Sequence, residues 1–374
     1  MDEKVNNNLA IIGASYLQLP LIEKAKEMGY KTHVFAWKAN DVGETAADFF
    51  YPISIIEKEK ILKKCKEIGI CGICSIASDI AMVTVNYIAN SLHLIGNSMS
   101  ATIKSTNKHA MRLAFECNGD PSPRSILVDK NTDFAAIDIT YPVIVKPTDR
   151  SGSRGIYKLY TSENLKKAVL RAIDESFENR AIVEEFVDGQ EYSVEYISYK
   201  GEHHFLALTY KYTTGEPNFI ETGHLEPAFV NSDVLDKIKK IISHALSTLG
   251  IENGASHSEI KINQNGDIKI IEIGGRMGGD CIGSDLVRYS TGYDFVRMVI
   301  DVACGNPPIF EKMCEPHSVE VKYMITQTDI DEYNRIKKEM PGKIIKLVSY
   351  HPENLGHVTD SSNRVGCYIM HVDP

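Results

Sequence analysis

The first third of the chain alternates short apolar runs with amphipathic stretches of helical spacing. These segments follow one another as an apolar run at 9–14, a helical stretch at 19–28, an apolar run at 31–36, a helical stretch at 57–68, an apolar run around Cys71 and a helical stretch at 80–92. Strands that alternate with helices predict βαβ units and a parallel sheet. We therefore expect an α/β domain over residues 1–105.

From about residue 107 the pattern changes to strands separated by glycine-rich turns. Predicted elements are a helix from 108, a strand at 141–146, a helix at 162–177, strands at 181–186 and 191–196, and late strands at 318–325, 344–350 and 366–371. We expect a second domain over 106–305, with a small lid at about 125–190, and a mixed α/β lobe over 306–374. No helix is predicted to cover the last strand, which indicates a minimal lobe or a face covered by a partner.

Two glutamates stand out among these strands. Glu259 and Glu272 flank the segment 263–267, which has the Asn-Gly chemistry of a tight hairpin turn. Both carboxylates therefore lie on adjacent antiparallel strands and converge, as a hard cation such as Mg²⁺ requires. Arg276 follows in a glycine-rich turn and supplies a planar cation for a phosphate or carboxylate. The pattern predicts a nucleotide-phosphate site.

Composition narrows the classes of function. The chain has 374 residues and a net charge of −9, from 41 basic and 50 acidic residues, so a nucleic-acid-binding face is not expected. The sequence contains no run of about twenty apolar residues and begins with polar residues, so we expect a cytoplasmic protein without a membrane partner. Cys71 and Cys74 have redox-pair spacing, but their apolar neighbours favour two buried thiols in a strand.

Two loops are candidate phosphate-binding segments. Gly13 ends the first strand, but Gly-x-Gly-x-x-Gly is absent and no acid closes the second strand, which disfavours NAD binding. Lys146 ends an apolar strand and is followed by the glycine- and serine-rich loop 151–155, whose backbone N–H groups suit phosphates. Taken alone, that loop is equally compatible with a surface turn.

The order of these pieces resembles the ATP-grasp superfamily over about residues 5–310. The matching pieces are residues 106–112, Val145-Lys146-Pro147, the loop 151–155, Val183-Glu184-Glu185-Phe186, Gly189-Gln190-Glu191, Glu259, and Glu272 with Arg276. The resemblance implies an α/β, three-lobed ATP-grasp architecture: an N-terminal parallel βαβ domain, ATP-grasp α+β lobes and a small C-terminal mixed lobe. It also implies ATP and Mg²⁺ as cofactors, with Mn²⁺ as an alternative metal.

The resemblance also implies a role for each matching residue. Lys108 and Lys146 would contact the phosphates, and a loop would close over them that consists of Ser151, Gly152, Ser153, Arg154 and Gly155. The adenine would be bound by the backbone of Glu184, Glu185 and Val187, and the ribose by Glu191. The metal would be held by Glu259 and Glu272, and Arg276 would be the catalytic residue that stabilises charge on a phosphorylated carboxylate. Non-functional alternatives remain for some of these residues. Lys108 could be a solvated helix residue, Glu184 or Glu185 could face solvent, and Arg276 could pair with Asp280 or Asp285.

One position departs from the superfamily pattern. Many members carry a metal-binding asparagine two residues after the second glutamate, where this chain has Gly274. Water can replace the missing amide on Mg²⁺. The run 272–280 looks more like that of ligases that join amino acids.

The resemblance implies an ATP-dependent carboxylate–amine ligase that forms an amide through an acyl phosphate and releases ADP and phosphate. Alternatives are a phosphoribosylglycinamide synthetase-like or carboxylase-like enzyme of the purine or biotin pathways, and a non-catalytic ATP-binding module. The expected partners are a small-molecule carboxylate and an amine, and a homodimer is compatible with the family. His224 and Arg288 are candidate substrate contacts; a structural histidine and a surface salt bridge are the alternatives.

Overall fold

The computed structural model describes residues 6–150, 154–216, 220–359, 361 and 363–372. Within these ranges the named strands form three sheets. None of the described helices is both long and apolar enough to cross a membrane.

The first sheet is parallel, with the strand order β3-β2-β1-β4, as the alternating pattern predicted. Its elements are β1 (Asn8–Ile12), α1 (Leu19–Glu27), β2 (Lys31–Ala36), α2 (Val42–Ala46), β3 (Phe49–Pro52), α3 (Lys58–Ile68), β4 (Gly72–Cys74) and α4 (Asp79–Ser91). Leu9 and Ile11 pack into one hydrophobic core and Ala10 and Ile12 into another, because successive strand residues face opposite sides. A sheet buried on both faces explains why these strands read as continuous apolar runs.

The second sheet is small and antiparallel, with the order β5-β8-β6-β7. Its strands are β5 (Ser125–Val128), β6 (Val143–Pro147), β7 (Tyr157–Leu159) and β8 (Ala181–Glu185). Helices α5 (Met99–Thr106) and α6 (Lys108–Asn118) precede the sheet, and α7 (Leu165–Glu175) connects β7 to β8. The Asn107 side chain accepts a hydrogen bond from the Ala110 N–H, so α6 begins at Lys108. This cap fixes Lys108 in the first turn.

The third sheet has eight antiparallel strands in the order β13-β12-β9-β10-β11-β14-β16-β15. Its elements are β9 (Gln190–Tyr199), β10 (Glu202–Thr213), β11 (Glu221–Glu226), α8 (Ser232–Leu249), β12 (Gly254–Ile262), β13 (Ile268–Gly274), α9 (Val287–Thr291), α10 (Phe295–Ala303), β14 (Val319–Met324), α11 (Gln327–Glu339), β15 (Ile344–Tyr350) and β16 (Gly366–His371). The three late strands, β14 to β16, extend the same sheet that carries β9 to β13. Short helical turns lie at Phe134–Ala136, Ser162–Asn164, Ile282–Leu286, Pro341–Lys343 and Pro352–Asn354.

The expectation that the last strand lacks a covering helix is wrong. Helix α11 packs its buried residues Ile330, Tyr333 and Ile336 against β16, and the rings of Tyr333 and Tyr368 lie 4.9 Å apart. The helix was missed because its sequence is mostly polar, with only this narrow apolar stripe. The lobe covers this face itself.

Glu226, at the end of β11, is a fully buried carboxyl group. It accepts hydrogen bonds from the hydroxyls of Thr209 and Ser290, and no cation pairs with it among the described residues. Burial raises its pKa from 4.5 to about 8, with a smaller contribution from Glu195, although the two hydroxyls act in the opposite direction. Glu226 is therefore neutral in the folded protein near pH 7.

This raised pKa predicts a pH-dependent stability. The folded protein keeps a proton that the unfolded chain releases, so the contribution is complete below pH 4.5 and is lost as the pH rises to about 8. We expect Glu226→Gln, measured by urea unfolding from pH 5 to 8.5, to show a smaller decline in the free energy of unfolding than the parent. Glu252→Gln, at an exposed position, is the control; equal declines in the parent and Glu226→Gln would contradict the assignment.

Candidate active site

Glu259 and Glu272 lie directly opposite each other on β12 and β13, as the predicted hairpin requires. Both side chains are partly exposed, and both line one cavity. Burial raises the pKa of Glu259, but Lys211 and His257 outweigh it and hold the pKa well below its usual range. Glu259 is thus an ionised oxygen donor at neutral pH.

Two lysines pair with these glutamates. Lys108 is buried; its Nζ lies 2.9 Å from Glu272 Oε1 and donates to the Arg150 carbonyl at 2.7 Å, so it is no solvated helix residue. Lys211 was not expected. Its Nζ lies 2.6 Å from Glu191 Oε1 and 2.8 Å from Glu259 Oε1. Burial lowers its pKa, but these carboxylates raise it well above the usual value.

Lys146 forms a second, deeper charge cluster. It pairs with Glu184, whose other carboxylate oxygen lies 3.1 Å from Arg112 Nη2. Burial raises the pKa of Glu184, but Arg112 and Lys146 lower it further. Glu184 is only 3% exposed, so the solvent-facing alternative is wrong for this residue. Its side chain is committed to the ion pair, and its backbone lies in β8 between β5 and β6.

One cavity of about 180 Å³ brings most of the predicted residues together. One part of its lining is apolar, and the other is charged. The apolar residues are Ile144, Ile156, Phe186, Val187 and Ile271, and the charged residues are Lys108, Lys146, Glu184, Glu185, Glu191, Lys211, Glu221, Glu259, Lys261 and Glu272. This division suits a ligand with a flat apolar part and an anionic part.

The strand predicted to read adenine has one backbone group without an internal partner. The N–H groups of Glu185 and Phe186 donate to the carbonyls of Arg124 and Pro142 at 3.0 Å. The Val187 N–H has no hydrogen-bond partner among the described residues, and its carbonyl accepts from Lys261 Nζ at 3.2 Å. Val187 is therefore placed to offer a donor at the apolar part of the cavity.

The predicted phosphate loop is described only in part. Ser151, Gly152 and Ser153 lie outside the described residues. Arg154 is exposed and does not line the cavity. Gly155 has φ +68°, and a Cβ there would lie 3.0 Å from Pro147 Cγ, so glycine suits both the backbone conformation and the space.

Arg276 has a partner that the sequence did not indicate. Its Nε and Nη2 donate to the two carboxylate oxygens of Asp79, at 2.9 and 3.1 Å. The predicted alternatives are wrong, because Asp280 pairs with Arg364 and Asp285 with Lys346. Asp79 begins α4 of the first domain, so this bidentate pair links the parallel domain to the site.

The same pair explains the glycine that departs from the family pattern. A Cβ on Gly274 would lie 2.8 Å from Asp79 Oδ1 and 3.2 Å from Arg276 Nε. Any side chain at this position would push the pair apart. Glycine here leaves room for the Asp79–Arg276 pair instead of supplying a metal ligand.

The two candidate substrate residues lie outside the cavity lining. His224 is 1% exposed and meets the Tyr323 ring edge-on at 5.5 Å; burial and nearby Lys211 hold its pKa well below the usual value. Its Nδ1 has no partner among the described residues. Arg288 is exposed on α9, and its side chain forms no ion pair in the described part of the chain.

The two hairpin carboxylates fit a hard cation. No group of three or more His, Cys, Asp or Glu side chains that could hold a metal occurs among the described residues. Two carboxylate ligands suffice for Mg²⁺, which keeps waters and takes its remaining ligands from substrate phosphates. Glu259 and Glu272 are the residues that would hold it.

Behind Glu259 lies a buried histidine–glutamate pair that the sequence did not reveal. Glu195 pairs with His257 Nδ1 and accepts from the Gly278 N–H at 3.0 Å. Burial lowers the pKa of His257, but Glu195 raises it further, to about 9. His257 Nε2 lies 3.7 Å from Glu259 Oε1, so this side chain supports the metal-site carboxylate from behind.

Comparison with known proteins agrees with this geometry. Residues 139–285 match the family model of the ATP-grasp domain. The chain therefore contains an ATP-grasp domain, and the resemblance drawn from its motifs is confirmed.

Similarity to known proteins extends beyond residues 139–285. The chain is 28% identical over 309 residues to alanine–anticapsin ligase from Bacillus subtilis, an alignment that covers 73% of this chain and 65% of that protein. An L-amino acid ligase from Bacillus licheniformis has the same fold, with a TM-score of 0.80 and 22% identity over 98% of this chain and 93% of that one. Phosphoribosylglycinamide synthetase from Anaerococcus prevotii gives a TM-score of 0.75 and 22% identity over 99% and 95%. The fold is thus that of ATP-grasp ligases.

The space at Gly274 generates a stability prediction. We expect Gly274→Ala to lower the free energy of unfolding by about 1–3 kcal/mol, because the new methyl group must displace Asp79 or Arg276. Gly342→Ala is the matched control, since a Cβ there meets nothing within 4 Å and should change stability by less than about 0.5 kcal/mol. Urea unfolding of both variants checks this; equal effects would argue against a constraint at Gly274.

Proposed function

We propose that the protein is an ATP- and Mg²⁺-dependent carboxylate–amine ligase that forms an amide bond through an acyl phosphate. The observation that carries this proposal is the single cavity in which Lys108, Lys146 and Lys211 lie with the convergent pair Glu259 and Glu272, next to an apolar part where the Val187 N–H has no partner among the described residues. The ATP-grasp domain over residues 139–285 supports the same assignment.

In this proposal the cavity holds ATP lengthwise. The adenine lies among Ile144, Phe186 and Ile271, with the Val187 N–H as donor. Glu191 accepts hydrogen bonds from the ribose hydroxyls. Lys108 and Lys146 neutralise phosphate oxygens, and we add Lys211 to this set because it lies between Glu191 and Glu259.

The metal would be held by Glu259 and Glu272. Mg²⁺, or Mn²⁺ in its place, supplies charge neutralisation for the phosphates when bound. The chain's own contribution is to keep Glu259 ionised through Lys211 and His257 and to hold the Glu272 side chain in place through Lys108. The loop 151–155 is proposed to close over the phosphates and to exclude water.

The proposed reaction has two steps. A carboxylate oxygen of the donor acid attacks the γ-phosphorus, the bond to the β,γ-bridging oxygen breaks, and ADP leaves. An amine nitrogen then attacks the acyl carbon, the C–O bond to phosphate breaks, and the nitrogen loses a proton. Arg276, oriented by Asp79, stabilises negative charge on the phosphorylated carboxylate. The chemistry depends on positioning and charge rather than on a covalent nucleophile.

The similar proteins suggest the substrate class. Alanine–anticapsin ligase and the L-amino acid ligase are named for amino-acid substrates, which supports an amino acid as donor or acceptor here. Because the chain spans 65% of the former's length, its own pair of substrates is part of the proposal. His224 and Arg288 remain candidate substrate contacts, and the homodimer and the cytoplasmic location remain predictions.

The first experiment measures phosphate release from ATP and Mg²⁺. The substrates are single acids, then acid–amine pairs that include every amino acid, and phosphoribosylamine with glycine. We expect release that requires both an acid and an amine, with ADP and an amide product by mass spectrometry. Activity with phosphoribosylamine and glycine would favour the synthetase alternative. ATP binding without release from any pair would favour a non-catalytic module.

The role of the hairpin glutamates gives a sharper prediction. We expect Glu272→Gln to reduce pair-dependent phosphate release by roughly 100-fold or more, because it replaces one carboxylate metal ligand with an amide. Glu311→Gln, at an exposed glutamate outside the cavity, should retain parental activity and ATP affinity. A Glu272→Gln protein with parental activity and parental ATP affinity in Mg²⁺ would contradict the assignment.

A further inference from the structure

A second cavity, of about 240 Å³, lies in the C-terminal part of the large sheet. It is lined by Tyr212, Thr222, Glu320, Lys322, Tyr323, Ile325, Asp329, Glu332 and Tyr368. None of these residues lines the proposed nucleotide cavity. The second cavity therefore requires its own explanation.

The strand register separates the two cavities by one layer of sheet. Lys211, which lines the nucleotide cavity, is in register with His224 on β11. Tyr212, the next residue, is in register with Gly223, which in turn pairs with Lys322 on β14 and through it with Tyr368 on β16. Successive strand residues face opposite sides, so the row from Tyr212 to Tyr368 faces away from Lys211.

Two polar groups on the second cavity lack partners. Tyr368 is only 1% exposed, and its hydroxyl has no hydrogen-bond partner among the described residues. Glu320 is partly buried and neither accepts a hydrogen bond nor forms an ion pair within the described ranges. Both groups open onto the same cavity, so a hydroxyl and a carboxylate without a protein partner among the described residues are free to bind one ligand.

The remaining charged groups on the cavity are already satisfied. Lys322 lies 2.9 Å from Glu332. Asp329 accepts from the N–H groups of Ile325 and Thr326 and from the Thr326 hydroxyl, in the capping box at the start of α11. Glu320 alone has neither an ion pair nor a hydrogen bond within the described residues; burial raises its pKa, and Lys322 offsets part of that rise.

These groups define the chemistry of the missing ligand. Three carboxylates against one lysine make the cavity anionic, and the rings of Tyr212 and Tyr368 offer faces that attract cations. We propose that this cavity binds a small organic cation whose primary ammonium group donates to Glu320 and to the Tyr368 hydroxyl oxygen.

This proposal does not depend on the ligase assignment. An ammonium group has N–H donors for both unpaired groups, whereas a quaternary ammonium ion has none and would leave them unsatisfied. The two kinds of cation therefore distinguish hydrogen bonding from general attraction to an acidic surface.

The test measures binding of n-butylammonium to the full chain by ligand-observed NMR. Tetramethylammonium and n-butanol are the comparison probes, one without N–H donors and the other without charge. We expect n-butylammonium to bind more tightly than either probe and to bind equally with and without saturating Mg-ATP. Absence of n-butylammonium binding, equal binding of all three probes, or competition with Mg-ATP would overturn the proposal.

Matched variants locate the bound ammonium. Glu320→Gln removes the charge at constant size and should weaken n-butylammonium binding by roughly tenfold or more, and Tyr368→Phe by a few-fold. Glu315→Gln and Tyr350→Phe change an exposed glutamate and an exposed tyrosine outside the cavity, and they should bind like the parent. Parental affinity in both Glu320→Gln and Tyr368→Phe would overturn the assignment.

Discussion

Pairing of buried charges is the constraint on which this structure depends. Lys108 joins α6 to β13 through Glu272, and Lys146 and Arg112 join β6 and α6 to β8 through Glu184. Each pair connects elements from different parts of the fold. An ion that loses its partner in such a setting destabilises a protein by several kcal/mol, so each of these pairs must form when the cavity is assembled. The charged part of the cavity is thus built from ions whose partners come from other elements of the fold.

The same pairing suits the proposed reaction. The lysines are the groups that phosphate oxygens attract, and the hairpin glutamates Glu259 and Glu272 are those that a divalent cation attracts. A metal nucleotide brings both charges at once. Its arrival would exchange one set of paired charges for another, without leaving a buried lysine or glutamate alone.

The pair between Asp79 and Arg276 adds a constraint between domains. Asp79 belongs to the parallel domain, yet it fixes an arginine that follows the metal-site hairpin. Gly274 is required because the pair occupies the space that a side chain would need. The glycine at position 274, where many family members have asparagine, is thus explained by a contact that Asp79 makes from a distant part of the chain.

Local patterns were enough for the parallel domain, the hairpin and the pairing of Glu259 with Glu272. Strand and helix periodicities act over a few residues, and a short turn brings those two carboxylates together wherever the hairpin packs. Family motifs added Lys108, Lys146 and Glu191, which line the same cavity.

Packing between distant segments determined the rest of the site and of the fold. Lys211 meets Glu259 across 48 residues and Asp79 meets Arg276 across 197, and α11 covers β16 through a stripe too narrow to stand out. No periodicity encodes such contacts, because they arise only when separate layers bury their charges and apolar faces against one another.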